Sequence, residues 1–275
     1  MANFHLPPQG FGPGSQGTGE ELDFMPLPSG MRTYSPHVPE VDQGAAPPEA
    51  LALIAAIAGA CDLVAIDGQS RSVSAADLSA PARALLAETL GQGEVAMKLR
   101  GVPAIAVQES VFAGVWVLAG EGLDRIEIAP YPVMALSRAH VPHRPALGPQ
   151  AFRGAQVVNA PALLAELQDR SARWQAGDMV HTINLSLLPH TEEDLLWLAE
   201  ATGEGAVTIL SRGYGNCRVT ATALPHVWRV QFYNSTDALI LDTYEVTAMP
   251  EVVAAAAEDL TDSAERIREV LEAIR

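Results

Sequence analysis

The residues best placed to do chemistry gather around one cysteine. Ser211-Arg212-Gly213-Tyr214-Gly215-Asn216 reads as a tight turn between two β-rich runs, Cys217 follows it, and His226 opens the next run. A thiolate beside a guanidinium and an imidazole has a lowered pKa and can serve as nucleophile or ligand. A catalytic thiol–imidazole pair also needs a third group to orient the ring, and none is identifiable. Small residues are, in addition, routine at an inward-facing strand start. The segment therefore reads first as a contact surface built on Arg212, Tyr214, Asn216, Cys217, His226 and Trp228. A thiol-dependent enzyme using Cys217 is the alternative.

Other chemistries have weaker footing. His140-Val141-Pro142-His143 is the closest pair of metal-ligand types, but it lies in a Pro-rich connector and no nearby cysteine or acid completes the three or four ligands zinc requires. Cys217, His226 and His181 form a partial set that leaves metal or iron–sulfur handling as a further alternative. Gly203-Glu204-Gly205 and Gly213-Tyr214-Gly215 leave a helix or turn a hairpin, whereas a phosphate cradle leads into a helix N-terminus. Gly-x-Ser-x-Gly and His-Glu-x-x-His are absent. The sequence predicts no catalytic residue, no cofactor and no bound metal.

The whole chain sets the context for these residues. Its 275 residues suit one large or two modest domains, and 48% hydrophobic content supports a buried core. Lys plus Arg is 17 against 33 Asp plus Glu, a formal charge of −16, and Lys98 is the only lysine. That balance argues against nucleic acid and anionic membrane surfaces and favours basic partners. Two cysteines, Cys61 and Cys217, are too few for a disulfide framework. No apolar run is read as approaching the ~18–20 residues of a membrane span, and the N-terminus lacks a basic, then apolar, leader. The expectation is a soluble, cytoplasmic, reduced protein without membrane insertion.

Residues 1–48 hold 9 of the 20 prolines and 7 of the 22 glycines, and read as a flexible arm. Phe11 and Phe24 are its candidate anchors for a partner. Beyond the arm, the chain aligns with itself at a shift of 112. Residues 79–118 match 191–230 without a gap at 11 of 40 positions, among them Gly91/Gly203, Arg100/Arg212 and Trp116/Trp228. With one further residue inserted, Ile126 and Ile128 fall on Leu239 and Leu241.

The sequence thus predicts an α+β fold: a pseudo-twofold tandem duplication of a helix-helix-antiparallel-meander unit, with the flexible arm and a C-terminal helix. The divisions are 1–48, a first unit 49–140, a linker 141–156, a second unit 157–250 and a tail 251–275. Each unit opens with a proline-led helix, Glu49–Ala60 or Pro161–Trp174. A second helix runs between Ser79 and Gly91, or between the N-cap Thr191 and Gly203. Four β-rich runs follow: 94–99, 104–110, 112–119 and 124–134, then 206–211, 216–223, 226–233 and 238–247. Met179–Ser186 alternates as an extra strand. In the tail, Thr261 is the expected cap, and a stripe of Ala264, Ile267, Leu271 and Ile274 is expected to pack on the second unit.

Pro189-His-Thr-Glu-Glu-Asp-Leu-Leu-Trp-Leu198, Leu210-Ser-Arg-Gly-Tyr-Gly-Asn-Cys-Arg-Val-Thr-Ala-Thr222 and Pro225-His-Val-Trp-Arg-Val-Gln-Phe-Tyr-Asn-Ser235 resemble segments of the hydrogenase expression/formation family, whose members include HupH, HyaF and HoxQ. Gly10-Phe-Gly-Pro-Gly-Ser-Gln16 and Met25-Pro-Leu-Pro-Ser-Gly-Met31 extend the likeness into the arm. The resemblance implies a chaperone-like accessory protein for maturation of [NiFe] uptake hydrogenase. It further implies that the iron–sulfur small subunit precursor is bound before export, alongside a thioredoxin-like accessory protein. It supplies no catalytic residues. A basic export leader would be attracted to the acidic surface, and a groove between the two units would shield the client.

Overall fold

The computed structural model describes Pro39, residues 46–212 and residues 216–275. The arm's Phe11 and Phe24, and Tyr214, lie outside the described residues.

Local sequence dictates how the helices start and stop. The first half holds α1 (Pro48–Asp67), β1 (Arg71–Ser74), α2 (Ala80–Leu90), β2 (Val95–Leu99), β3 (Ile105–Glu109), β4 (Val115–Gly120), β5 (Leu123–Ile128) and the short α3 (Val133–Arg138). The second holds α4 (Ala160–Arg173), β6 (His181–Asn184), α5 (Glu192–Thr202), β7 (Val207–Ser211), β8 (Asn216–Ala221), β9 (Val227–Tyr233), β10 (Leu239–Val246) and α6 (Ala257–Ile274). Ser79 caps α2 through the Ala82 N–H, and Thr191 caps α5 through the Asp194 N–H. Asp194 does more than load the α5 dipole. Its carboxylate accepts from the N–H groups of Val158, Asn159, Ala160 and Thr191, tying the start of α4 to the start of α5. Burial alone would raise its pKa, but these donors hold it below the ordinary carboxylate value.

The strands form one antiparallel sheet of ten, in the order β1-β5-β4-β3-β2-β7-β8-β9-β10-β6. The order reads alike from either edge to the β2–β7 seam. The predicted extra strand is β6, and β1 occupies the corresponding edge of the first half. Several contacts recur at the 112-residue shift. Gly93 N–H donates to Glu109 O and Gly205 N–H to Ala221 O; Val111 N–H donates to Leu90 O and Ala223 N–H to Thr202 O. The Trp116 and Trp228 indoles are buried and donate to Ala129 O and Thr247 O.

Alternation along the strands decides which face meets which layer. On one face, Met97, Leu99, Val107, Trp116, Ile209, Val219 and Trp228 form a core sealed by Ala135 and Ala139 around α3 and by Met249 and Val253. On the other, α1, α2 and α6 cover β4 and β5 through Ile54, Ile57, Val115, Ile128 and Ile267. Across the sheet, α4 and α5 cover β9, β10 and β6 through Leu164, Leu167, Trp197, Tyr244 and Ile183. The middle of this second face carries no helix among the described residues.

Five expectations need correction. Tyr244 lies across from Arg229 as Ile126 lies across from Val117, so Ile126 corresponds to Tyr244 and Ile128 to Val246. The insertion is larger than one residue because the β9–β10 turn is longer, held by the Asn234 carboxamide accepting from Thr236 and Ala238 N–H. The fourth run of the first unit stops at Ile128, and Pro132 starts α3. The tail helix begins at Ala257, where Asp259 accepts from the Ala256 N–H, and Thr261 lies inside it. Its predicted stripe is buried, but it packs on α1 in the first half: Ser263 donates to Ala113 O and Arg266 to Val111 O. Finally, α1 is long and apolar enough by length and composition to cross a membrane, with a mean hydropathy of 2.0 over its most apolar window. Ile54, Ile57, Cys61 and Val64 bury one side of it in the core.

Candidate functional site

The middle of the sheet, which no helix covers among the described residues, is a floor between two helical walls. Strand register lays its residues out in two rows. One row runs Ala106, Lys98, Thr208, Thr220, Arg229, Tyr244 across β3, β2, β7, β8, β9 and β10. The other runs Gln108, Ala96, Leu210, Arg218, Gln231, Asp242. A cleft of about 710 Å³ opens over the second-half end, walled by Leu196 and Glu200 of α5 and rimmed by Arg144 and Leu147. Two adjoining recesses, about 420 and 400 Å³, continue it over Lys98 and Thr208 and over Arg212 and Asn216. Arg218 lines all three.

The polar groups at the closed end are fixed. Arg229 meets Asp242 in a two-pronged ion pair, Nε to Oδ1 at 3.0 Å and Nη2 to Oδ2 at 2.6 Å. Asp242 has only 5% side-chain exposure, so this pair is desolvated and geometrically held. Arg229 also lies 5.8 Å from the centre of the Tyr244 ring, and the Tyr244 hydroxyl reaches Thr202 Oγ1 at 3.5 Å. Nearer the seam, Arg100 donates to Thr208 Oγ1 at 2.9 Å and pairs with Glu204 at 3.1 Å. Glu204 joins Arg144 through two backbone hydrogen bonds of 2.9 Å, which fix the connector to the cleft rim.

The two halves diverge here. At the 112-residue shift, Arg218 replaces Ala106, Arg229 replaces Val117 and Gln231 replaces Ala119. The β3–β4 side of the floor is small and apolar at these positions and the β8–β9 side polar and cationic. At the seam the difference runs the other way: Lys98 in the first half corresponds, at the same shift, to Leu210 in the second.

The residues expected to act together separate into two places. Arg212, Asn216 and Cys217 share the smallest of the three recesses. Arg212 and Asn216 are exposed, whereas Cys217 is buried and belongs to the core of the opposite face. Burial, with the charge of Glu245, pushes its thiol up to about 12, the reverse of an activated thiolate. His226 and Trp228 lie at the far end of β8: Cys217 faces Phe232 while Ala221 faces Trp228. Cys217 and His226 are thus not a pair. Trp228 is core, and His226 stacks on Trp174 at 3.8 Å. His140 joins them, edge-on to Trp228 at 5.2 Å and donating from Nδ1 to Thr222 O. His181 pairs with Glu166 at 2.8 Å. Among the described residues, no three His, Cys, Asp or Glu side chains gather as a metal-holding group.

Sequence reading missed Lys98, Arg218, Arg229 and Asp242. A signal existed. The repeat comparison weighed identities, while the cleft is built where the two halves differ.

Comparison with known proteins places these features in a family. Residues 157–274 match the family described as HupH hydrogenase expression protein, C-terminal conserved region. The chain is 64% identical over 276 residues to hydrogenase expression/formation protein HupH of Rhodobacter capsulatus, covering 100% of both chains. It is 40% identical to HoxQ of Cupriavidus necator, covering 98% of each, and 31% identical to hydrogenase-1 operon protein HyaF of Escherichia coli, covering 97% of this chain and 95% of that one. A solved structure of hydrogenase expression protein HupH from Thiobacillus denitrificans is 32% identical, covering 42% of this chain and 94% of that one, with a TM-score of 0.38.

Proposed function

The chain belongs to the hydrogenase expression/formation family of HupH, HoxQ and HyaF, and from that premise we propose that it holds a client polypeptide in the cleft without transforming it. The role in hydrogenase maturation follows from the family. The finer reading is that the client is the iron–sulfur small subunit precursor, held in the cytoplasm before export and assembly, with a thioredoxin-like protein as co-accessory.

The observation that carries this is the floor of β3, β2, β7 and β8, which lies between two helical walls and carries no helix among the described residues. Sheet surface left uncovered inside an otherwise layered fold favours an extended macromolecular occupant. The separation of Cys217 from His226 weighs against thiol catalysis. A basic leader on such a client would be drawn to the acidic outer face of α6, where Glu258, Asp262, Glu265, Glu269 and Glu272 are exposed.

The architecture is read as a tandem duplication of one unit, near 49–140 and 157–250. The recurring contacts and the mirrored strand order support it. Gene duplication with divergence on one face yields a single floor with two different halves.

The test is co-purification of tagged full-length protein from cells expressing a hydrogenase operon. The unprocessed small subunit is expected in the eluate. Recovery of no hydrogenase subunit, or of the mature enzyme alone, overturns the client reading.

A further inference from the structure

Resting on that client reading, we propose that the floor is a carboxylate-recognition surface: the segment seated on it carries Asp or Glu side chains that Lys98 and Arg218 engage.

Charge sets these two cations apart. In a chain of −16, most arginines have acids close by, and many are claimed. Arg71 pairs with Asp67, Arg83 with Asp124, Arg173 with Asp169 and Arg268 with Asp62. On the floor itself, Arg229 is neutralised by Asp242 and Arg100 by Glu204. Lys98 and Arg218 differ. Both are exposed, and neither has an ion pair among the described residues; Arg218 only lies 5.9 Å from the centre of the Tyr233 ring. The chain's sole lysine therefore sits in the middle of the uncovered floor.

Geometry then selects the ligand. Lys98 is beside Thr208 in one row, and Arg218 is beside Leu210 in the next, two strands away. Sheet spacings put their Cα atoms roughly 10–12 Å apart. An extended peptide rises ~3.3 Å per residue, so carboxylates three or four positions apart reach both cations. Leu210, Leu196 and Ala96 line the recesses beside them, and Ala106 adjoins Lys98 in the sheet, offering apolar contact. A nucleic acid strand is the other anionic candidate, but its dense charge meets a chain of −16 whose floor offers few open cations. The observations favour an acidic polypeptide.

The experiment uses overlapping 15-residue peptides spanning a hydrogenase small subunit precursor, probed with the full-length protein. Bound peptides are expected to be rich in Asp and Glu. For the strongest, measured in solution, affinity should fall at least tenfold in Lys98→Glu/Arg218→Glu and stay unchanged in Arg170→Glu, an exposed α4 control. Replacing the peptide's acids by Asn and Gln should cause a similar loss. If the charge-reversed protein fails to fold, Lys98→Gln/Arg218→Gln gives the same readout. Equal binding of the neutral peptide, selection of only the basic leader, or displacement by single-stranded DNA at lower concentration than by acidic peptide overturns the proposal. Intact precursor still co-purifying with the wild-type protein then leaves the client reading standing; its absence removes that reading too.

Discussion

Met97 on β2 faces Ile209 on β7 across the middle of the sheet, and the two are separated by the same 112 positions that carry one half's sequence onto the other. Val95 with Ser211 and Leu99 with Val207 flank them symmetrically. Both side chains are buried in a core that draws on both halves. Ile209→Ala should cost ~2–5 kcal/mol of stability, as for other large-to-small core changes. Calorimetry should still show one unfolding transition, since the seam shares its core; two separated transitions would refute the shared core.

The Arg229–Asp242 pair makes a second prediction. Removing either partner leaves a buried charge, so Arg229→Leu or Asp242→Leu alone should destabilise by ~3–5 kcal/mol. The double variant should lose less than either single one. Urea unfolding of the three variants measures the coupling.

Glu109 should impose a pH dependence. Burial, with smaller effects from Glu94 and Asp259, raises its carboxyl from 4.5 to about 7, against backbone donors that oppose the shift. Between these values the folded chain keeps a proton that the unfolded chain has lost. Its contribution is therefore full below pH 4.5, falls as pH rises to about 7, and is gone above that, a change of about 3 kcal/mol. Glu109→Gln should flatten this fall. His140 works in the other direction, since burial lowers it from 6.5 to about 4. Stability should drop as pH falls through that window, and His140→Phe should blunt the drop. Chemical unfolding at pH 4, 6 and 8 separates the two.

Both thiols should be inert in the folded protein. Burial raises Cys61 and Cys217 to about 12 each. At pH 8 their thiolate fraction is on the order of 10⁻⁴, so alkylation by iodoacetamide should await unfolding. Cys217→Ala should leave hydrogenase maturation largely intact. Abolished maturation with a normally folded variant would restore the thiol-dependent alternative.

Gly114 and His226 hold matching places in the two halves, both with positive φ, 79° and 62°. A side chain at 114 would put its Cβ 2.5 Å from Leu260 Cδ2, so the buried Leu260 of α6 would have to shift. Gly114→Ala should cost ~2–3 kcal/mol, combining the strained backbone with the clash. His226→Gly loses a ring stack but relieves its own backbone, and should change stability by less than ~1 kcal/mol. Limited proteolysis near Ala257 should accelerate in the first variant only.

Local rules carried much of the fold. Ser79, Thr191, Gly91 and Gly203 bounded the helices because capping acts within a few residues. Alternation over Met179–Ser186 marked the extra strand β6 for the same reason. The β10 register was misread because a turn held by the Asn234 side chain absorbs extra residues without any hydrophobic signal. The stripe of α6 was legible, but a stripe states that a face is buried and never against what.

What the sequence determined by itself was most of the helices and strands, β1 and α3 excepted, and the recurrence of residues at a shift of 112, since these depend on neighbours in the chain. The tertiary structure alone decided that the two halves join edge to edge at Met97 and Ile209, that Cys217 and His226 part to opposite ends of β8, and that Lys98 and Arg218 share an uncovered floor. Each of these depends on which strand lies beside which, a pairing set by long-range packing and invisible to short-range periodicity.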